Sequence, residues 1–421
     1  MPRFIHAADL HLDSPLKGLA RYEGAPADAV RESSRRALEN LAALAIARKP
    51  DFVLLAGDLY DGDWKDYNTG LYFAAQMSRL GAAGIPVLLI HGNHDAASVM
   101  TRGLRLPDNV FTFPADRPFS RILNEFGTVV HGQSYAHRQV MDNLGANYPD
   151  PVPGAFNIGL LHTSLDTSAA DKRYSPCATP DLLAKGYDYW ALGHRHNHQV
   201  LSEDPPVLFC GTTQGRDAGE PGAHGCVWVE AAEGRITREF VPLDVLRWAV
   251  LAVDATGAAD RGEVLSRASA ALAGALDTAD GRALAARFRF AGPCPAHARL
   301  AADPAGFAAD LRAEAQDLSG GRAWVEKITL DTAPAQDLDA LAASDTPQGD
   351  LLRFLNGLEA DPAQLAALDP GLDDLWRKLK EQRGPVAALA LEDPAALAEL
   401  LPRVRDLLLP LLLEQADGEG A

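Results

Sequence analysis

The sequence is short of sulphur and of positive charge. Its 421 residues hold four cysteines, Cys177, Cys210, Cys226 and Cys294, and no two of them have CxxC spacing. That scatter argues against a disulfide framework and against structural zinc, and it fits reduced thiols in a cytoplasmic protein. No apolar run reaches the roughly 20 residues of a membrane helix, so no membrane partner is expected. The opening stretch MPRFIHAADLHLDSPL is interrupted by Asp9 and His11 and does not read as a signal peptide. Lysine and arginine total 39 against 57 acidic residues, a net charge of −18. Such a chain does not grip nucleic acid unaided, because phosphate contacts come from basic side chains. Bound divalent cations or a basic partner subunit would lift that objection.

What is present is ordinary for a soluble protein: 47% hydrophobic and 23% charged residues. The length predicts two or three domains. Short apolar runs bounded by Gly, Pro and Asp predict strands at 3–8, 52–56, 86–91, 128–131, 156–162, 188–192, 206–210, 226–230 and 236–241. Helical spacing is clear over 27–48, with Val30, Leu38, Leu41, Leu44 and Ala45 behind Pro26, and over 67–80, with Leu71, Phe73, Met77 and Leu80. Strands alternating with helices, then strands without helices between them, predict a layered α/β body whose later half is largely antiparallel.

Composition shifts near Pro242–Trp248. Residues 249–330 are Ala-rich, with helices expected at 260–276 and 303–317 and strands at 285–290 and 323–330. The expected organisation is a first domain over 1–245, a small α/β capping domain over 246–332, a Pro/Ala/Asp-rich linker over 333–350 with at most one short helix, and a helical region over 351–421. Within that last region, Leu407 to Leu413 is apolar almost all round, which suits either a buried core helix or a docking surface.

Five motifs carry chemistry, and each follows a predicted strand: Asp9-Leu10-His11, Gly57-Asp58-Leu59-Tyr60-Asp61, Gly92-Asn93-His94-Asp95, His162, and Gly193-His194-Arg195-His196. Each alone has a bland reading: a chance DxH, a turn with a solvated Asp, a core histidine, an Asn/Asp loop, a glycine turn. Together they are more telling, because strand ends on one edge of a sheet converge on a common crevice. Asp9, His11, Asp58, Asn93, His162, His194 and His196 offer oxygen and imidazole donors and no thiolate. That mixture suits Mn²⁺, Fe²⁺ or Zn²⁺. Seven donors exceed one tetrahedral ion and suit two, with a carboxylate such as Asp58 able to bridge a pair roughly 3.5–4 Å apart.

In that order, D-x-H, GD-x-x-D, GNHD, H and GH-x-H, the motifs resemble the calcineurin-like metallophosphoesterases. The contexts FIHAADLHLDSPLKGL, PDFVLLAGDLYD, VLLIHGNHD and YDYWALGHRHNHQ are similar to SbcD-type DNA repair exonucleases, closest to the YhaO branch, over residues 1–245. The resemblance implies a four-layer β-sandwich core flanked by helices. It also implies one metal on Asp9, His11, Asp58 and His196, and a second on Asp58, Asn93, His162 and His194. His94 matches the catalytic histidine, and Asp95 would orient its ring or cap a helix. His198 is expected to bind neither ion. Arg195 and Arg216 are the candidate substrate-binding cations, although pairing of Arg216 with a nearby carboxylate is an equal reading. Asp61 stands where the DNA-break nucleases often have His. The activity implied is a two-metal DNA nuclease, Mn²⁺ being the first candidate cofactor, acting as a homodimer with an SbcC-like coiled-coil ATPase. The alternatives are a metallophosphatase acting on nucleotides, cyclic nucleotides or phosphoproteins, and a scaffold without chemistry.

Overall fold

The computed structural model describes residues 2–14, 27–61, 67–96, 104–165, 174–232, 234–335 and 338–360. The helical stretches expected at 370–382 and 393–415 lie outside them. The chain divides into two compact units. The first comprises residues 1–250 with 274–287 and 319–326; the second comprises 251–273, 288–318 and the described residues from 327 onward.

In the first unit, strand β1 (Arg3–Ala7), helix α1 (Ala27–Arg48), β2 (Phe52–Ala56), α2 (Tyr67–Ala82), β3 (Val87–Ile90), the short α3 (Asn93–Ala96) and β4 (Val110–Thr112) alternate as the spacing predicts. β1 through β4 run parallel, each beside the next. β11 (Gly225–Ala232) returns antiparallel beside β1, and β12 (Arg235–Pro242) pairs antiparallel with β11. The second sheet has the order β5 (Phe119–Leu123), β6 (Thr128–Gly132), β7 (Phe156–His162), β8 (Tyr189–Gly193), β10 (Pro206–Phe209), β9 (Gln199–Glu203).

The expectation of a largely antiparallel later half is corrected here. β6, β7, β8 and β10 are mutually parallel, and only the edge strands β5 and β9 run against them. A parallel return needs a long crossover, and a helix is merely its commonest form. Among the described residues, the crossovers over 133–155 and 163–188 contain little regular structure beyond α4 (Thr179–Leu183) and a 3₁₀ turn at Gly145–Asn147, and the sequence shows no helical period there. β4, β5 and β9 also escape prediction. They are edge strands with half-exposed side chains and lack the apolar run that marks a central one.

The central strands are apolar throughout because both faces are covered. Phe4, Phe52, Leu54, Leu88 and Ile90 point to Val130, Ile158, Leu160, Tyr189 and Leu208 of the other sheet. The Phe4 ring stacks on Phe52 at 5.2 Å and meets Tyr189 edge-on at 5.2 Å. Outside the first sheet, Ile5, Val53, Leu55 and Leu89 pack on Leu38, Leu41 and Ala45 of α1 and Phe73, Met77 and Leu80 of α2. Outside the second, Leu161, Trp190, Leu192 and Phe209 pack on Leu144, Tyr148, Leu182 and Tyr187. These four layers are the arrangement that the resemblance implies.

Helices α5 (Arg261–Thr278), α6 (His297–Ala302) and α7 (Pro304–Ser319) and strands β13 (Leu246–Asp254), β14 (Ala283–Pro293) and β15 (Ala323–Ala333) follow, the strands forming a three-stranded sheet in the order β13-β14-β15. Phe290 meets Phe307 of α7 edge-on at 5.2 Å. The stretch 331–350, expected to hold at most one short helix, contains α8 (Leu338–Ala342) and the start of α9 (Pro347–Ala360). A serine turn joins the two helices: Ser344 Oγ donates to Leu341 O, and the backbone N–H of Asp350 donates to Thr346 O. Leu352, Leu355 and Leu358 of α9 are buried.

Among the described residues, Trp190 is the largest fully buried side chain. It stacks between Tyr148 and Tyr187 and donates its indole N–H to Leu182 O at 3.1 Å. Trp190→Ala should therefore lower the urea-unfolding free energy by about 3–5 kcal/mol. A loss below about 1 kcal/mol would contradict this packing.

Candidate metal centre

Each motif residue lies where a strand stops. β1 ends before Asp9 and His11, β2 before Asp58, β3 before Asn93 and His94; β7 ends on His162, and β8 stops before His194 and His196. The first two loops are laced by the backbone: Asp9 N–H donates to Gly57 O at 2.9 Å, His11 N–H to Asp58 O at 3.1 Å and Leu12 N–H to Leu59 O at 3.0 Å. The backbone turns sharply there. Asp9, His11, Asp58 and His194 all have positive φ, at 51°, 42°, 50° and 106°. Each such non-glycine conformation costs about 1–3 kcal/mol, so surrounding bonds must hold it. Glycine is needed where backbone crowds the site. A Cβ on Gly92 would lie 2.3 Å from Asp58 Oδ1, and one on Gly193 2.0 Å from Ala56 O.

The seven proposed ligands come together. Asp9, His11 and His196 bring one donor atom each within 4.8 Å of one another, and so do Asp58, His162 and His194. His11 Nε2 and His196 Nε2 are 3.2 Å apart. His162 Nε2 lies 3.0 Å from Asn93 Oδ1 and 3.4 Å from Asp58 Oδ2. Asp58 stands between the two groups, with Oδ2 3.9 Å from His11 Nε2 and Oδ1 accepting the His94 N–H at 2.9 Å. His198 is elsewhere, its Nδ1–H donating to Phe209 O at 3.0 Å.

The donor chemistry fits cations. His162 Nδ1–H donates to Ala56 O at 2.9 Å, so in the neutral ring the Nε2 lone pair faces two acceptor oxygens. Such a group of acceptors needs a proton or a cation between them. Charges in the cluster respond accordingly. Burial would depress His162, but Asp58 and Asp9 beside it raise the imidazole to about 9. Burial opposes ionisation of Asp58 too, yet His162 and His11 hold that carboxyl far below its usual range. Burial raises Asp9 to about 6 against the pull of His162 and His196, and burial with His162 nearby lowers His194 to about 3.

The structure chooses between the readings open for Asp95 and Arg216, and it gives Arg195 local partners. Asp95 does not orient the His94 ring: its carboxylate accepts the backbone N–H groups of Leu59, Tyr60 and Gly92 at 3.0–3.1 Å. The bond from Gly92 is half of a capping box for α3, so capping is the role its geometry gives. Burial and the neighbouring Asp58 push its carboxyl up to about 7 against those three donors. Asp61 holds the ring instead, accepting His94 Nδ1–H at 2.7 Å and Ser14 Oγ–H at 2.5 Å. Arg195 commits N–H groups to Leu165 O at 2.7 Å and Gln199 Oε1 at 3.0 Å, with its guanidinium over the Phe209 ring. Arg216 pairs with Glu220, which also meets His196 Nδ1 at 2.6 Å. Sequence reasoning passed over Glu220 altogether. It follows the GTTQGRD loop as one more acid in an acidic chain, and only folding brings it to His196.

Residues 2–198 match the calcineurin-like phosphoesterase family, and residues 248–333 match the middle domain of the metallophosphoesterase YhaO. The chain is 37% identical over 259 residues to a Bacillus subtilis protein named as an uncharacterized metallophosphoesterase YhaO, covering 61% of this chain and 64% of that one. It is 27% identical over 248 residues to the DNA double-strand break repair protein Mre11 of Aeropyrum pernix, covering 50% and 53%. To the Mre11 of Haloferax volcanii it is 28% identical over 262 residues, covering 61% and 56%. The chain thus spans between half and two thirds of the length of these relatives.

Ligands that bind only the folded state stabilise it by mass action, about 2.7 kcal/mol per site at a hundredfold excess over Kd. Mn²⁺ should raise the melting temperature by several degrees, EDTA should reverse the rise, and Asp58→Asn should abolish it. A melting curve indifferent to Mn²⁺ would argue against the metal centre.

Proposed function

We propose, from the match of residues 2–198 to the calcineurin-like phosphoesterase family, that the chain is a two-metal nuclease that hydrolyses phosphodiester bonds in DNA. The observation carrying this reading is the pair of buried donor groups on either side of Asp58. Asp9, His11 and His196 would hold one ion, Asn93, His162 and His194 the other, with Asp58 shared and Mn²⁺ the preferred metal. When bound, two such ions lower the pKa of water and offset charge on the phosphate.

The chain's own residues supply the rest. His94 rests against the cluster, its ring centroid 5.0 Å from that of His11. Burial works against protonation of His94, but the hydrogen bond to Asp61 and the nearby Asp58 charge prevail and raise its pKa. With Nδ1–H held by Asp61, Nε2 is the atom left to donate a proton to the departing sugar oxygen. Asp61 acts by fixing the ring, Ser14 by fixing Asp61. The resemblance extends the proposal to a homodimer working beside an SbcC-like coiled-coil ATPase, with the C-terminal helical stretches as the contact. A basic partner of that kind would supply the DNA affinity that a chain of net charge −18 lacks.

One observation favours a second reading, a phosphatase acting on nucleotides or phosphoproteins. Arg195 and Arg216, the basic side chains expected to meet substrate, are both engaged in local bonds. Assays of linear duplex DNA, bis-p-nitrophenyl phosphate and nucleoside monophosphates with Mn²⁺, against EDTA, separate the two. Cleavage of DNA is expected; turnover of the monophosphates with DNA left intact would select the phosphatase. His94→Gln should keep its Mn²⁺ and lose about 10²- to 10⁴-fold in turnover. Full activity in that variant would remove His94 as the acid.

A further inference from the structure

Two partners of opposite demand meet at one nitrogen of His196. Glu220 Oε1 lies 2.6 Å from Nδ1, and Arg216 Nη2 lies 2.8 Å from the same atom. An ionised carboxylate can only accept a hydrogen bond, and a guanidinium can only donate one. In a neutral ring the two therefore select opposite tautomers. If Nδ1 carries the proton, it donates to Glu220 and the Nε2 lone pair faces the donor group of Asp9 and His11. If Nδ1 is bare, it accepts from Arg216, and the proton sits on Nε2, pointing at His11 Nε2 3.2 Å away.

We propose that Glu220 is a positioning residue that accepts the hydrogen bond from His196 Nδ1–H and so presents the Nε2 lone pair to a divalent cation, against Arg216, which would impose the opposite tautomer. The proposal rests on the two-metal reading of the site. Glu220 is well placed to prevail. Its side chain is 11% exposed, and its contact with His196 is short, as charge-assisted bonds are. It also occupies the guanidinium that competes with it: Arg216 donates Nη2–H to Oε1 at 2.8 Å, Nε–H to Oε1 at 3.2 Å and its backbone N–H to Oε2 at 2.9 Å. The loop that carries Glu220 is tied to His196 at its start and closed on itself at its end. Thr212 N–H donates to His196 O at 2.9 Å, and His224 Nε2–H donates to Glu220 O at 3.0 Å while its Nδ1 accepts from Thr212 Oγ at 2.8 Å. Arg216 is thereby more than a neutralising charge: it is the residue that would misdirect His196 were the carboxylate lost.

The test is Mn²⁺ titration by calorimetry of the full chain as wild type, Glu220→Ala, Glu220→Gln, Arg216→Ala and the double variant Glu220→Ala/Arg216→Ala, with circular dichroism to verify folding. Partners of this kind typically set metal affinity by about 10- to 100-fold. Glu220→Ala should weaken one of two sites by that factor. Glu220→Gln, whose amide oxygen still accepts the hydrogen bond from Nδ1–H, should lose less. The double variant should bind more tightly than Glu220→Ala, because no donor is left to claim Nδ1. Wild-type affinity in Glu220→Ala would overturn the positioning role, and a double variant as weak as the single one would overturn the competition with Arg216. Should Glu220→Ala misfold, Glu220→Leu takes its place on the first point: wild-type affinity in that variant, with the fold intact, would overturn the positioning role. Absence of Mn²⁺ uptake by the wild type would instead remove the two-metal reading itself.

Discussion

Everything at this site depends on one carboxylate held in a place where carboxylates are unfavourable. Asp58 sits in a buried crevice with histidines on both sides, and burial alone would keep it neutral. It is ionised because the ends of β1, β2, β3, β7 and β8 deliver His11 and His162 to it, together with the His94 backbone N–H. The strained backbone of Asp9, His11, Asp58 and His194 is the cost of aiming those side chains inward; the lacing of the first two loops sustains the first three, and the Asp9 carboxylate holds the His194 N–H. The two sheets act as a rigid frame whose parallel strands finish at one place, and the chemistry follows from what stands on those last residues.

The same logic explains how an acidic chain could handle a polyanionic substrate. The −18 net charge is a property of the whole sequence, but a phosphate responds to the field where it binds. Two divalent ions would reverse the local sign over a few Å, whereas surface carboxylates farther than a Debye length, about 10 Å at 0.1 M salt, are screened. Basic side chains at the mouth of the crevice are then dispensable for chemistry, which agrees with Arg195 and Arg216 being bound up in local contacts. Affinity for a long substrate is a separate matter and calls for a positive surface elsewhere.

Much of this was legible in the sequence, for physical reasons. Central strands covered on both faces must be apolar throughout, so β1, β2, β3, β7 and β8 declare themselves, and the polar residues that interrupt them are conspicuous. The seven candidate donors stand out in this way, while their division between two ions came from the resemblance. The edge strands β4, β5 and β9 were not, because half-exposed strands tolerate mixed side chains. The direction of β6, β7, β8 and β10 was misread because the described parts of their crossovers are mostly irregular and leave no periodic trace. Asp61 and Glu220 were missed as partners for a different reason. Local spacing puts Asp95 next to His94 and leaves Asp61 and Glu220 distant in sequence from the histidines they meet, but a hydrogen bond is chosen by three-dimensional placement. Asp95 is drawn back to its own loop by three backbone N–H groups, which leaves Asp61 to reach the ring.

The most direct measurement of the central claim is anomalous diffraction from crystals grown with Mn²⁺ and recorded at the manganese absorption edge. The account predicts two peaks flanking the Asp58 carboxylate, roughly 3.5–4 Å apart, one against Asp9, His11 and His196 and the other against Asn93, His162 and His194. Crystals in which manganese is missing from this cluster, or in which a single ion leaves His162 bonded to Asp58 alone, would contradict it.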